Sequence, residues 1–549
     1  MTATGTVAPA TPAAPEPAAA RDGSTLTGTG TLVRFILRRD RVRLPLWLAG
    51  LTLLVLVTAS SVKGLYPTQA DLVEGAAPMY GNAAVVALNG PTYAIDTYGG
   101  QMVFQIGSFG YVVVALMGMF LVGRHTRADE ETGRTELLRA AVLGRNAPVA
   151  AVLAVAAGAF AVLGVLIALS LASQGVPAEG SWLFGSAMGG FGFFFACVTA
   201  LTAQVSEHNR AALGLAGVAL GASYVLRALG DIGSGALSWL SPMGWAQYAK
   251  PFAGDRSWPL LLLAAAALGL VAAAVAVLAR RDLGGGLVQP SPGPAHAAPS
   301  LGTPLGLALR LQRAVLAAWA AGLALIAVSY GSLGEDVEDL LGDNDAFADI
   351  VAQAGGDLTD SFFATSTLMI ALIAGGFAVS SALRLRSEES SGRAEALLVT
   401  GIGRTRWAAS HLAVSLGGSA ALMVAAGLAM GLTYATIADD LGEAGPILGA
   451  ALAFVPALWV LVGVAFALFG LAPRWAAAAW AALVGAFVVG LLGELIDLPS
   501  AVMNLSPFQH VPAMPAQGFD PVPMLALTAV AGGLVAAGFV GFRRRDAGY

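Results

Sequence analysis

Apolar runs of roughly 20 residues recur along the whole chain, separated by short segments that hold most of its arginine. About 20 residues of helix at 1.5 Å rise cross a hydrocarbon core of ~30 Å, so each run predicts a membrane span. Helix is the expected form because backbone facing lipid must satisfy its hydrogen bonds within its own segment. The pattern predicts spans near 44–62, 102–122, 147–172, 183–204, 211–229 and 258–279. A second set follows near 314–332, 364–383, 407–435, 447–470, 475–493 and 521–541.

The polar segments set the orientation, since cytoplasmic loops close to spans carry the Lys and Arg excess. With the N-terminus inside, 25 of the 29 basic residues fall in cytoplasmic segments, leaving Lys63, Arg227, Lys250 and Arg256 outside. Both termini are therefore expected in the cytoplasm. Residues 1–25, rich in Ala, Pro and Thr, lack the charged start and apolar core of a signal peptide and read as a disordered tail.

Composition sharpens this picture. Of 549 residues 57% are hydrophobic and only 11% charged, against about 25% charge in soluble domains, and the mean hydropathy is +0.74. A soluble protein is excluded, and a net charge of -5 gives no case for nucleic acid. The single Cys197 excludes an intrachain disulfide and a thiolate metal cage.

The chain also repeats itself. Gly30-Thr31 and Trp47 to Leu51 return as Gly302-Thr303 and Trp319 to Leu323, 272 positions on. Glu130-x-x-Gly133-Arg134-x-Glu136 with Gly144-Arg145 returns 259 positions on as Glu389-x-x-Gly392-Arg393-x-Glu395 with Gly403-Arg404. Leu240-Ser241-Pro242 reappears as Leu505-Ser506-Pro507, and Arg280-Arg281-Asp282 as Arg544-Arg545-Asp546. The kept order predicts an all-α membrane protein of two tandem six-helix halves in the same orientation. The halves are expected at 26–281 and 306–549, joined by a Gly- and Pro-rich cytoplasmic linker at 282–305.

Catalytic chemistry finds no support. A P-loop needs Gly-Lys followed by Ser or Thr to hold phosphates and magnesium, whereas Lys63 precedes Gly64 and Lys250 precedes Pro251. His125, His208, His296, His411 and His510 show no zinc-site spacing. No catalytic residue and no metal ligand is assigned, and the chain is read as a transport subunit, not an enzyme.

The most informative segments join the second and third spans of each half, Arg124 to Arg145 and Arg384 to Arg406. In each, acidic residues sit amid arginines and lead into a short apolar stretch, Leu137-Leu138 or Ala396-Leu397-Leu398. One amphipathic helix is expected there, with apolar anchors and charges that fit a groove in a cytoplasmic partner. The glycine suits a tight turn. The arginine suits either a bidentate contact to a partner carboxylate or an internal one.

With this motif after a second span, the chain resembles the permease subunits of bacterial ABC type-2 exporters. It is most similar to the fused twelve-helix actinobacterial permeases of the tetronasin type, antibiotic or multidrug exporters, from about residue 30 onward. The resemblance implies a homodimeric ABC ATPase pair, separately encoded, that binds ATP and Mg and docks on the two loops as coupling segments. Carried over, the coupling residues are Glu130, Glu131, Gly133, Arg134 and Glu136, and Glu388, Glu389, Gly392, Arg393 and Glu395. Thr132 against Ser391 and Leu137 against Ala396 leave the two docking surfaces unequal. The implied cargo is a hydrophobic compound, an antibiotic or other drug-like molecule, moved outward across the plasma membrane between halves that face each other around a pathway.

Further segments fit the same frame. Leu32 to Arg43 mixes five arginines with apolar residues and suits a helix lying against anionic lipid heads, which the resemblance implies as an elbow before the first span. Residues 230–257 and 494–520 are long and apolar enough to predict short helices turning back toward the membrane. From Glu335 to Asp360 nine acidic residues and no basic one read as a solvated outer loop.

The spans are nearly uncharged, with only Arg227, Glu494 and Asp497 near helix ends. Ion-driven pumps bury ionisable groups, so this argues for an apolar pathway, with Phe104, Phe109, Tyr111, Met117, Phe362, Phe363 and Met369 as candidate lining. The alternatives are a secondary transporter with two six-helix repeats, an exporter of lipid instead of drug, and a membrane-embedded enzyme acting on lipid carriers, which needs clustered polar residues at an interface.

Overall fold

The computed structural model describes residues 24–134, 136, 142–281, 285–287, 293–334, 357–492 and 498–545. The expected tail up to residue 23, parts of the linker (282–284 and 288–292), most of the acidic loop (335–356), the Leu137-Leu138 stretch, Glu494 and Asp497 lie outside the described residues.

Among the described residues the chain is almost wholly helical, and twelve helices are long and apolar enough to cross a membrane. The chain divides into two compact units, Met1–Val73 with Asn89–Ser291, and Glu74–Leu88 with Pro292–Tyr549. The division falls inside the predicted linker, but Glu74–Leu88 groups with the second unit, which the contiguous halves 26–281 and 306–549 did not anticipate.

In the first unit the six spans are the helices Arg43–Leu65, Tyr98–His125, Ala147–Ser173, Ala178–Val205, Asn209–Ile232 and Pro259–Arg280. The third and fourth pack closely because Gly164 and Gly185 meet, where a Cβ on Gly185 would lie 2.2 Å from the Gly164 oxygen. Small residues at a crossing bring backbones together where lipid supplies no hydrophobic drive. Before the first span, the helix Thr29–Arg39 buries Leu32 and Ile36 and leaves Phe35 and Leu37 exposed. The expected helix thus forms but stops at Asp40, and the first span starts at Arg43.

In the second unit the spans begin with Pro304–Gly331, Leu358–Ala382 and Arg404–Ile437. Asp357 caps the second of these, its carboxylate accepting from the Leu358 amide at 2.8 Å. The next span is two helices, Ala444–Ala453 and Val455–Leu471, broken before Pro456, where proline removes a donor and crowds the preceding turn. Ala479–Leu492 and Pro521–Arg544 complete the set.

The segments expected to turn back are ordered as short helices. Leu237–Leu240 and Pro242–Gln247 bury Ser238, Ser241, Met243 and Ala246 in the first unit. Ser500–Met503 and Pro507–His510 occupy the second, where Phe508 stacks on Phe454. Trp239 and Trp258, both partly exposed, stack with ring centroids 5.4 Å apart.

Candidate functional site

Each loop between a unit's second and third spans starts with a short helix, Arg127–Glu131 or Arg384–Ser390, and then turns at a glycine. Gly133 and Gly392 both take left-handed backbone, with φ 71° and 74°, a region costly for residues with a Cβ. In the second unit another helix, Arg393–Leu398, follows. The single amphipathic helix expected here is therefore two short ones, because the glycine breaks the backbone between the acidic and apolar parts. Ala394 is buried, while Leu397 and Leu398 are half-buried against the core.

The motif charges are satisfied within their own unit. Glu130 accepts from Arg281, at the end of the sixth span, at 2.6 Å, and pairs with the fully buried Arg127. Glu389 accepts from Arg545, just past the last span, and stands 3.7 Å from Arg386. Arg145 donates to the Arg281 carbonyl at 3.1 Å, and Arg404 to the Arg545 carbonyl at 3.2 Å. Arg134 reaches Asp129 at 3.3 Å, and Arg393 reaches Glu388 at 2.7 Å. The hydrogen bond it donates to the Glu388 carboxylate holds the Arg393 guanidinium above its ordinary range.

Arg134 and Arg393 turn onto the carboxylate five residues before them, an internal contact, while more than half of each side chain stays exposed. Glu130, Glu388 and Glu389 are likewise held inside, and Glu131 accepts from the Asn209 amide at 2.7 Å. Glu136 and Glu395 remain exposed. On the same loops Val142 and Val399, at 88% and 87% exposure, are the most exposed large apolar side chains among the described residues.

The first unit adds contacts of its own. Arg39 reaches Asp129 at 2.5 Å, and the buried Asp40 meets His125 at 2.6 Å and Arg124 at 3.3 Å. The helix before the first span is thereby tied to the loop. Sequence reasoning missed Asp40 and Asp129 because an acid among arginines looks solvated, and it missed Val142 and Val399 because a lone valine carries no pattern.

The candidate pathway residues scatter. Phe104 and Tyr111 border one cavity, while Phe109 is 65% exposed and Met117 is buried in the core. Phe362 and Phe363 pack on each other and on Tyr330 and Tyr434, and Met369 is half-buried. The fifth span runs to Ile232, three residues beyond its expected end, and so includes Asp231. Arg227 and Asp231 are both buried in it, 3.7 Å apart. The expectation of a span with Arg227 alone near its end is corrected by that extra turn.

The family described as "Multidrug efflux system permease Rv1217c, C-terminal domain" matches residues 301–543. The chain is also similar to the multidrug efflux system permease protein Rv1217c of Mycobacterium tuberculosis (strain ATCC 25618 / H37Rv). The two are 42% identical over 528 residues, which cover 95% of this chain and 96% of that protein.

Proposed function

Because this chain belongs to the family of multidrug efflux system permeases, we propose that it is the membrane subunit of an ATP-driven exporter of the ABC type-2 class. Membership and twelve apolar helices make it a multi-pass membrane permease for drug export, a transport subunit and not an enzyme. The proposal adds a motor: a separately encoded, homodimeric ATPase pair that binds ATP and Mg and docks on the loops Arg124 to Arg145 and Arg384 to Arg406. Cargo is a hydrophobic, drug-like compound. The two units are tandem six-span repeats with both termini in the cytoplasm, as the arginine distribution favours.

One observation carries the reading. Motif residues 259 positions apart in sequence make the same contacts in each unit, Glu130 with Arg281 and Glu389 with Arg545. Two equivalent loops, each fastened to the end of its unit's sixth span, suit a motor of two equivalent chains. When ATP closes that pair, each loop moves its own unit, and differential affinity of the two ATPase states for the two permease states supplies the shift. Each loop offers its own docking face, Glu136 and Val142 on the first and Glu395 and Val399 on the second, shaped by Gly133 with Arg134 and by Gly392 with Arg393.

The test is purification of the chain from its source membrane, with mass-spectrometric identification of what accompanies it and assay of ATP hydrolysis. A P-loop ATPase with vanadate-sensitive activity is expected, and Glu136→Arg with Glu395→Arg weakens its association and drug resistance together. A lone polypeptide whose transport follows a proton gradient would return the assignment to a secondary carrier.

A further inference from the structure

The second span breaks in its interior. Its helix, Tyr98–His125, is interrupted at Gly107 by φ 38° and ψ −147°, whereas the corresponding helix of the second unit runs unbroken from Leu358 to Ala382. Across the break, Ser108 Oγ donates to the Asn89 carbonyl at 3.0 Å. A Cβ on Gly107 would stand 2.8 Å from that same oxygen, so glycine is required for the approach. Non-helical backbone inside a span is tolerated where protein buries it or a cavity borders it, and interrupted spans gather at ligand sites in transport proteins.

Here a small cavity of about 30 Å³, partly open to solvent, borders the break, with Tyr93, Phe104, Tyr111, Gln247 and Lys250 around it. Its polar groups are incompletely used. Tyr111 is buried at the cavity's edge. Gln247 donates through Nε2 to Ser108 at 3.2 Å, while its Oε1 is buried without a partner. Lys250 Nζ lies 4.0 Å from the centre of the Tyr93 ring and pairs with no carboxylate among the described residues. Burial and the charge of Arg256 pull the Lys250 ammonium below the ordinary lysine range. Lys250 itself sits at φ 49°, in strained left-handed backbone that aims it from the turn after the helix Pro242–Gln247.

A cation at an apolar wall, with a tyrosine lining the cavity and a buried amide oxygen unused beside it, is complementary to an anion carried on an apolar body. The geometry points to a binding site within the first unit for the anionic headgroup of an amphiphile, a carboxylate or phosphate. Lys250 takes the charge, Tyr111 donates a hydrogen bond to the same group, Gln247 Oε1 accepts from a hydroxyl or amide next to it, and Phe104 and Tyr93 cover the first carbons of the chain. As a cargo site this rests on the export function proposed above, but binding is measured with no motor present, so the two fail separately.

The test uses the full chain in phosphatidylcholine nanodiscs and two photoreactive diazirine probes of equal length, a fatty acid and its primary alcohol, with cross-links mapped by mass spectrometry. The acid is expected to label the second span near Phe104 to Tyr111 and the segment 247–252 about tenfold more than the alcohol, the ratio one charge-assisted contact supplies. Lys250→Gln removes the preference, Lys250→Arg keeps it, and Tyr111→Phe weakens labelling by the acid. Adding phosphatidylglycerol separates two sources of the headgroup: displacement of the acid identifies a bilayer phosphate, and persistence identifies a free amphiphile. Equal labelling by acid and alcohol, or a preference that survives in Lys250→Gln, overturns the site.

Discussion

Glu389 receives both terminal guanidinium nitrogens of Arg545, at 2.8 and 2.9 Å, across 156 positions of sequence. The carboxylate stands in the loop between the second unit's second and third spans, and the arginine follows the last helix. Arg545 also lies over the Phe469 ring at 4.8 Å, which shields the pair on one side. The bond makes the end of the last span a part of the loop, so that force applied to one reaches the other.

Removing Arg545 leaves a carboxylate that is 6% exposed with only Arg386, 3.7 Å away, as its cation. Arg545→Ala is expected to cost about 3 kcal/mol of stability, the range for breaking one side of a buried pair. Arg281→Ala acts on Glu130 in the same direction. Thermal unfolding in detergent measures both, and a double-mutant cycle with Glu389→Gln isolates the pair. A loss no larger than that of an ordinary surface substitution, about 0.5 kcal/mol or less, would show that the pair does not hold the loop.

Gly392→Ala tests the turn alone, because nothing lies within 4 Å of where the new Cβ goes. The expected cost is about 1 kcal/mol from the left-handed backbone, and Gly392→Asn loses less because asparagine visits that region more readily. Equal stability of the alanine variant and the parent, by chemical unfolding, counts against the turn as drawn.

Val142→Asp with Val399→Asp changes two side chains that touch little of their own unit. The fold is expected to survive, while the amount of ATPase recovered with the chain falls severalfold, each single variant giving a smaller loss. Normal recovery from the double variant moves the docking face elsewhere on the loops.

The spans were legible because a run of apolar residues long enough to cross a bilayer has one physical solution, and the structure mostly shifts their ends by a few residues, as at Asp231, while the second unit's first helix starts ten residues early, at Pro304. The paired charges were half legible. The repeat picked out Glu130, Glu389, Arg281 and Arg545 as recurring residues, yet no local pattern joins a loop carboxylate to an arginine more than 150 positions away. The break at Gly107 was hidden, since the stretch from Tyr98 to Tyr111 holds several glycines and only the approach of Asn89 distinguishes that one. Phe104 and Tyr111 were chosen as aromatic residues in a span, whereas what gives their cavity its chemistry is Lys250, which the same reading counted only as one basic residue left outside.

Arg227 and Asp231 supply the last test, because a buried ion pair in a span is what a gradient-driven carrier needs. Both sit one turn apart on the same helix, 3.7 Å from each other, with Arg227 against the Tyr224 ring at 4.6 Å. Ser238 Oγ donates to Asp231 at 2.6 Å and lies 3.1 Å from the Arg227 carbonyl, which can share the same proton. Those contacts fasten the short helices Leu237–Leu240 and Pro242–Gln247 to the fifth span, a structural role that needs no proton movement. Asp231→Ala should therefore destabilise by about 3 kcal/mol, since it leaves the arginine buried without its carboxylate. Arg227→Leu with Asp231→Leu should recover most of that loss, because apolar replacement of a whole buried pair is often neutral. Drug efflux measured in cells separates the two readings: a folded double-leucine variant that still exports excludes this pair as a proton carrier, and one that is folded but inactive makes the gradient-driven reading the stronger.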